Sequence, residues 1–232
     1  MPLTNDFLPA DDLPPTLLPA LEKAWQRLVD SLAQGDSVAE MTGQEPPSEN
    51  WLGLDPARRR QLARVIAISD FAVDTLVRYP DWLQHLDTSG ELDEAPGADT
   101  LGAWLAERLE NADDEAALHA ALRRFRRARM LGIVWRDLTR PSDIDMWSTA
   151  ASVSRLAEVC LEGALSWLEQ HFEPRWGRPA LRADGSEQRL VVLGMGKLGA
   201  GELNLSSDID LIFAYPEKGE TEGGRKSLEH QE

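Results

Sequence analysis

The sequence predicts an α+β chain, helical first and then built of short strands and turns, and three observations carry that prediction. Apolar residues recur at spacings of three and four through most of residues 14–172, the stripe a helix needs on its buried side. The hexapeptide Pro174-Arg175-Trp176-Gly177-Arg178-Pro179 interrupts that period. Beyond it the apolar runs are short and β-branched, at residues 190–193 and 209–213, as strands are.

Residues 1–13 are acidic and proline-containing and read as a tether. Leu18, Leu21, Trp25, Leu28 and Leu32 then share one helix face. Residues 35–50, polar and holding Pro46-Pro47, read as a loop. A second helix starts near Pro56, buries Leu62, Val65, Ile66, Ile68, Ala72 and Leu76, and ends before Pro80. A short helix follows over residues 81–86, and the acidic stretch 87–100 is again a loop. The third long helix covers about residues 101–110. The fourth carries Leu118, Leu122, Phe125 and Met130, and the fifth, about 143–171, buries Trp147, Leu156, Val159, Leu165 and Leu168. Most of the eight tryptophans are assigned to the core of these helices. Ala183-Asp184-Gly185-Ser186 is a turn. The organisation is therefore a helical region over 14–172 and the start of a second, sheet-containing domain over 173–232.

Composition narrows the function. The apolar fraction of 42% allows an ordinary buried core. A net charge of -16 opposes phosphate backbones and anionic bilayers, so neither nucleic acid nor membrane is an expected partner. Residues 1–56 contribute heavily, with Lys23 and Arg27 the only bases among ten acids. No apolar stretch approaches about 18 residues, and the N-terminus lacks the basic and apolar regions of a signal peptide. The single cysteine, Cys160, excludes an intrachain disulfide and reads as a small buried hydrophobe. A cytoplasmic location is expected. Arg123, Arg124, Arg126, Arg127 and Arg129 fall within seven residues. They read as a salt-bridged or solvated helix side in an acid-rich chain, in preference to an anion-binding face.

The chemistry concentrates in RLVVLGMGKLGAGELNLSSDIDLIFAYPE, residues 189–217. Gly194, Gly196 and Gly199 spell the G-x-G-x-x-G of a dinucleotide site. That motif needs a crossover helix and a parallel second strand, whereas only eight residues separate Gly199 from Asp208. The alternative places Asp208 and Asp210 at i and i+2 of an extended segment, projecting to one side, with Ile209 and Leu211 packed behind. Two such carboxylates suit Mg²⁺, which shares its shell with substrate phosphates. The glycine turn leaves backbone N–H groups open to a phosphate, and Lys197 and Ser207 add a cation and a hydroxyl. A bare D-x-D also arises as a cap or a solvated strand end. Asp143-Ile144-Asp145 has the same letters, follows Pro141-Ser142, and reads as a helix N-cap with first-turn acids.

The run from Gly194 to Asn204, followed by Ser206-Ser207-Asp208-Ile209-Asp210-Leu211-Ile212-Phe213, resembles the signature of the glutamine synthetase adenylyltransferases. These are bifunctional bacterial enzymes of the DNA polymerase β-like nucleotidyltransferase superfamily. Ala67-Ile68-Ser69-Asp70-Phe71 with Tyr79-Pro80 is similar to the family's early helices. So is Leu122-Arg123-Arg124-Phe125-Arg126-Arg127 with Arg136-Asp137-Leu138. The resemblance covers roughly residues 50–232. It implies a polymerase β-like mixed sheet beginning after residue 172, Mg²⁺ on Asp208 and Asp210, and phosphates facing Gly194, Gly196, Lys197, Gly199 and Ser207. The implied protein substrate is glutamine synthetase, with ATP, ADP and phosphate as small-molecule substrates and PII-type signal proteins as regulators. The position of the G…DID motif near residue 200 resembles the deadenylylating half, which releases AMP from a synthetase tyrosine as ADP. The other half attaches AMP from ATP. Family members are several times longer, and their sites add a third carboxylate from a later strand. The 232 residues are accordingly expected to be a fragment with little or no catalysis of its own.

Overall fold

A computed structural model of the chain describes residues 8–33, 54–140 and 145–229. The loop read over 35–50, and Pro141-Ser142-Asp143-Ile144 ahead of the fifth helix, lie outside the described residues. Chain order gives a 3₁₀ turn (Pro15–Leu17) and helices α1 (Leu18–Ala33), α2 (Pro56–Ile68), α3 (Asp70–Arg78), α4 (Trp82–Thr88), α5 (Ala98–Leu109), α6 (Glu115–Thr139) and α7 (Met146–Trp176). Then come β1 (Arg178–Pro179), β2 (Val191–Gly194), the single turn α8 (Gly196–Gly199), β3 (Leu211–Ala214) and β4 (Thr221–Glu222). The fold is α+β. Its strands form two antiparallel ribbons, β1 with β4 and β2 with β3, and the described residues contain no parallel pair. None of the described helices is long and apolar enough to cross a membrane.

The chain divides into two compact units. One takes the residues up to Pro96 and Arg127–Thr149, and the other takes Gly97–Arg126 and everything from Ala150 onward. Both α6 and α7 contribute to each unit. In the first unit α1 lies against α2 and α3, and Leu28, Leu62, Leu76, Leu86, Leu131 and Trp135 are fully buried. Leu8 joins this core, with Ala10 and Leu13 packed beside it, so the stretch expected to be a tether is anchored from Leu8 onward.

Where the sequence implies one helix from Pro56 to Pro80, two form. Asp55 caps α2 by accepting from the N–H groups of Ala57 (2.7 Å) and Arg58 (2.9 Å). The Arg58 amide, more than any other partner, holds that carboxyl below its usual range. At Ser69 the backbone turns extended, and its hydroxyl accepts from the Ala72 N–H at 3.2 Å to start α3. Leu62, Val65, Ile66, Ala72 and Leu76 are buried as expected. Ile68 is 45% exposed, because the break at Ser69 takes it off the buried stripe.

The arginine-rich helix α6 has a mixed fate. Arg123, Arg124 and Arg126 are exposed, and the Arg127 guanidinium lies 5.7 Å from the Phe71 ring centroid. Arg129 is buried and pairs with Glu91, a buried carboxylate from the stretch the sequence reads as an acidic loop. Ser89 Oγ donates to the same carboxylate at 2.9 Å, and buried Arg136 donates to the Glu91 carbonyl. Burial pushes the Arg136 guanidinium below its ordinary value, opposed by Glu91 and reinforced by Arg129.

In the second unit α5 buries Leu101, Leu105 and Leu109, α6 buries Leu118 and Phe125, and α7 buries Val153 and Leu156. Gly163 lets α7 approach α5, since a Cβ there would sit 2.5 Å from Leu105 Cδ2. The Trp167 indole N–H donates to the Ala112 carbonyl at 3.1 Å. Trp147, expected in the core, is 58% exposed at the first turn of α7. Of the described tryptophans only Trp135 is fully buried; large amphipathic rings settle at half-buried positions. Cys160, expected to be a buried small hydrophobe, is half-buried, and desolvation pushes its thiol up to about 11.

Pro174 does not end α7, which runs on to Trp176. The stop is Gly177, at φ +80, whose N–H donates to the Glu173 carbonyl at 2.8 Å in a left-handed cap. The Gly-rich stretch after β3 is tied down rather than loose. β4 pairs with β1, the Lys226 N–H donates to the Arg175 carbonyl at 3.0 Å, and Ser227 Oγ donates to Glu220 at 2.8 Å.

Candidate functional site

The β2–β3 ribbon presents the glycine turn to the two acids. The register pairs Val191 with Ala214, Val192 with Phe213, Leu193 with Ile212 and Gly194 with Leu211. One step further the Met195 N–H donates to the Asp210 carbonyl at 2.9 Å. Asp210 therefore stands directly across from Met195, the residue that follows β2. Cross-strand partners face the same side, which puts the Asp210 carboxylate on the face of Leu193, Met195 and Ile212. Asp208 lies two residues earlier, in the irregular stretch that leads into β3. Ile209, expected to pack behind the sheet, is 38% exposed, and Leu211 is half-buried. Val191, Leu193, Ile212 and Phe213 are exposed as well. Their ribbon has only two strands, whereas apolar runs of this kind belong to strands covered on both faces.

Each glycine of the turn answers a separate steric demand. A Cβ at Gly194 would meet Leu198 Cγ at 2.8 Å, and Leu198 is buried beneath the turn. Gly196 opens α8 at φ +54. A Cβ at Gly199 would lie 2.4 Å from the Gly194 carbonyl oxygen. The fourth glycine, Gly201, sits at φ +72 and completes a Schellman cap. The Glu202 N–H donates to the Lys197 carbonyl at 2.7 Å and the Gly201 N–H to the Leu198 carbonyl at 3.0 Å. The first N–H groups of so short a helix, those of Gly196, Lys197 and Leu198, have no partner within it. Gly199→Ala, which presses a methyl against backbone, is expected to destabilise the second unit by about 1–3 kcal/mol. Urea unfolding of the variant measures this; a loss below about 0.5 kcal/mol would mean the turn is looser than described.

The side chains around the turn divide into engaged and unengaged groups. Ser207 closes a tight turn with Asn204: its N–H donates to the Asn204 carbonyl (3.2 Å), its hydroxyl donates to Asn204 Oδ1 (2.6 Å) and accepts the Asn204 N–H (3.2 Å). Asp208, Asp210 and Lys197 are exposed, and among the described residues their side chains have no hydrogen-bond or ion-pair partner. The other D-x-D differs: Asp145 accepts from the Ser148 N–H at 2.7 Å and caps α7, as its sequence implies. No group of three or more His, Cys, Asp or Glu side chains gathers among the described residues. The dinucleotide alternative needs a crossover helix and a parallel strand, whereas here one helical turn leads into an antiparallel partner. Two residues of the site escape sequence reading. Leu203 is buried, and its N–H donates at 3.1 Å to the buried hydroxyl of Ser154 in α7. No local pattern in the sequence marks that pair.

The chain is 44% identical over 221 residues to the bifunctional glutamine synthetase adenylyltransferase/adenylyl-removing enzyme of Pseudomonas aeruginosa, a match that covers 95% of this chain and 22% of the relative. The enzymes of the same description from Pseudomonas syringae pv. tomato and Pseudomonas putida are 40% and 39% identical over the same share of this chain and 21% of their own lengths. The chain thus spans about a fifth of the curated relatives it matches. Residues 59–232 match the family model for glutamate-ammonia ligase adenylyltransferase, a span that includes the glycine turn and both aspartates, and the chain belongs to that family.

Proposed function

We propose that residues 189–217 are part of a metal-dependent nucleotidyl-transfer site within a polymerase β-like domain. In the longer protein this site removes AMP from adenylylated glutamine synthetase by phosphorolysis. The observation that carries the reading is the Met195 N–H to Asp210 carbonyl bond, which sets the open backbone of a glycine turn against a paired-acid segment. The names of the similar Pseudomonas enzymes support the protein substrate. The resemblance of this G…DID segment to the deadenylylating half supports the direction.

The donor set fits Mg²⁺. Asp208 and Asp210 offer hard carboxylate oxygens, exposed and uncompensated among the described residues, and Mg²⁺ characteristically takes one or two carboxylates and fills its shell with water and phosphate oxygens. When bound, the ion neutralises charge on the phosphate oxygens and polarises the phosphorus centre. The chain's own groups do the rest. The N–H groups of Gly196, Lys197 and Leu198 and the Lys197 ammonium hold phosphate oxygens, while the Asn204–Ser207 turn fixes the approach to Asp208. In the reaction an oxygen of inorganic phosphate bonds to the AMP phosphorus. The bond from that phosphorus to the tyrosyl oxygen breaks, that oxygen takes up the proton the phosphate gives up, and ADP and the unmodified tyrosine side chain of the synthetase result.

Two assays on the longer protein test the direction: ADP release from adenylylated synthetase with phosphate, and AMP incorporation into unmodified synthetase from ATP. Asp208→Asn/Asp210→Asn should remove the first and spare the second. Loss of the second alone would assign the site to AMP attachment. A second reading, a non-catalytic acidic interaction module, draws on the absence of a three-ligand metal group among the described residues. Equal calorimetric heats for Mg²⁺-ADP with this chain and with its double-Asn variant would favour it.

A further inference from the structure

We propose that Ser154, in the N-terminal third of α7, is a positioning residue for Asp208; the proposal rests on the nucleotidyl-transfer reading above. Ser154 is buried at 2% exposure, and its hydroxyl both donates and accepts. It donates to the Ala150 carbonyl at 2.9 Å and accepts the Leu203 N–H at 3.1 Å, across 49 positions of sequence. Leu203 is itself 2% exposed, so its N–H cannot exchange this acceptor for water at no cost.

The location of that bond gives it a role beyond packing. Upstream, the Glu202 N–H, one residue away, closes the glycine turn's Schellman cap. Downstream, Asn204 opens the turn that Ser207 closes with three hydrogen bonds, and Asp208 follows at once. Leu203 is thus the hinge pin between the phosphate-facing turn and the first acid, and Ser154 is the point on α7 to which it is fastened. A rigid loop of this kind sets the carboxylate's position without touching the metal, as supporting residues behind metal ligands do.

The test uses two readouts that simple loss of packing would not move together. In the 232-residue chain, Ser154→Ala should speed amide exchange of Leu203 about tenfold or more, while exchange in the centre of α7 stays near wild type. In the longer protein it should raise the half-saturating Mg²⁺ concentration for phosphate-dependent AMP release about tenfold, with KM for the adenylylated synthetase unchanged. Ser154→Thr, which keeps the hydroxyl, should restore both. Ser154→Cys fills the same space with a weak acceptor and carries the same test where the alanine variant fails to fold. Wild-type Leu203 protection or a wild-type Mg²⁺ requirement in the variants lacking the hydroxyl overturns the proposal, as does a threonine variant as impaired as they are. If Asp208→Asn/Asp210→Asn retains AMP release, the site reading itself is wrong. If it abolishes release while the Mg²⁺ requirement ignores Ser154, only the positioning role falls.

Discussion

Asp208→Asn/Asp210→Asn in the longer protein should cut phosphate-dependent AMP release by at least about 100-fold, roughly 2.7 kcal/mol of lost transition-state stabilisation. The fold should survive, because both side chains are exposed and neither has a partner among the described residues. Asparagine keeps the shape of aspartate and removes the anionic oxygens that a hard cation needs. An unchanged circular-dichroism melt with lost release is the expected pair of results. Retained release would show that the exposed acids only solvate the entry to β3.

The largest stability effect is expected in the other unit, at Glu91. Its carboxylate is buried against Arg129, accepts from Ser89, and lies beside the guanidinium of Arg136. Glu91→Gln removes the carboxylate that pairs with buried Arg129, and loss of one partner from a buried pair costs about 3–5 kcal/mol. Guanidinium unfolding should show that loss. The double replacement Glu91→Met/Arg129→Met should cost less than the single one, since Arg129 then carries no charge to strand and only the support Glu91 gives Arg136 is lost. A single-variant loss below about 1 kcal/mol would mean that water reaches the pair.

These two sites also show what the sequence makes legible. Leu21 and Leu28 read correctly as the buried side of α1 because a period of 3.6 is local information. Ser69 carries its signal too, as a cap residue before Asp70, yet the continuous apolar stripe on either side conceals the break. Pro174 misleads because a proline inside a helix costs one hydrogen bond and a clash with the carbonyl four residues back without having to end it, and Gly177 supplies the true stop with its positive φ. The glycine turn and the acids are readable because their requirements lie within seventeen residues. Leu203 and Ser154 are not, and neither are Glu91 and Arg129. Those bonds join residues 49 and 38 positions apart, and only tertiary packing brings them together. The polymerase β-like sheet remains a proposal from resemblance, since the described strands form two short antiparallel ribbons.

Manganese, a paramagnetic substitute for magnesium, gives the most direct check on whether turn and acids form one site. Titrated into the isotopically labelled chain, Mn²⁺ should broaden the amide resonances of residues 194–198 and 207–211 first and together, and the effect should vanish in the double-Asn variant. Broadening spread evenly over the acidic surface, or confined to the aspartates while the glycine turn stays sharp, would contradict the account.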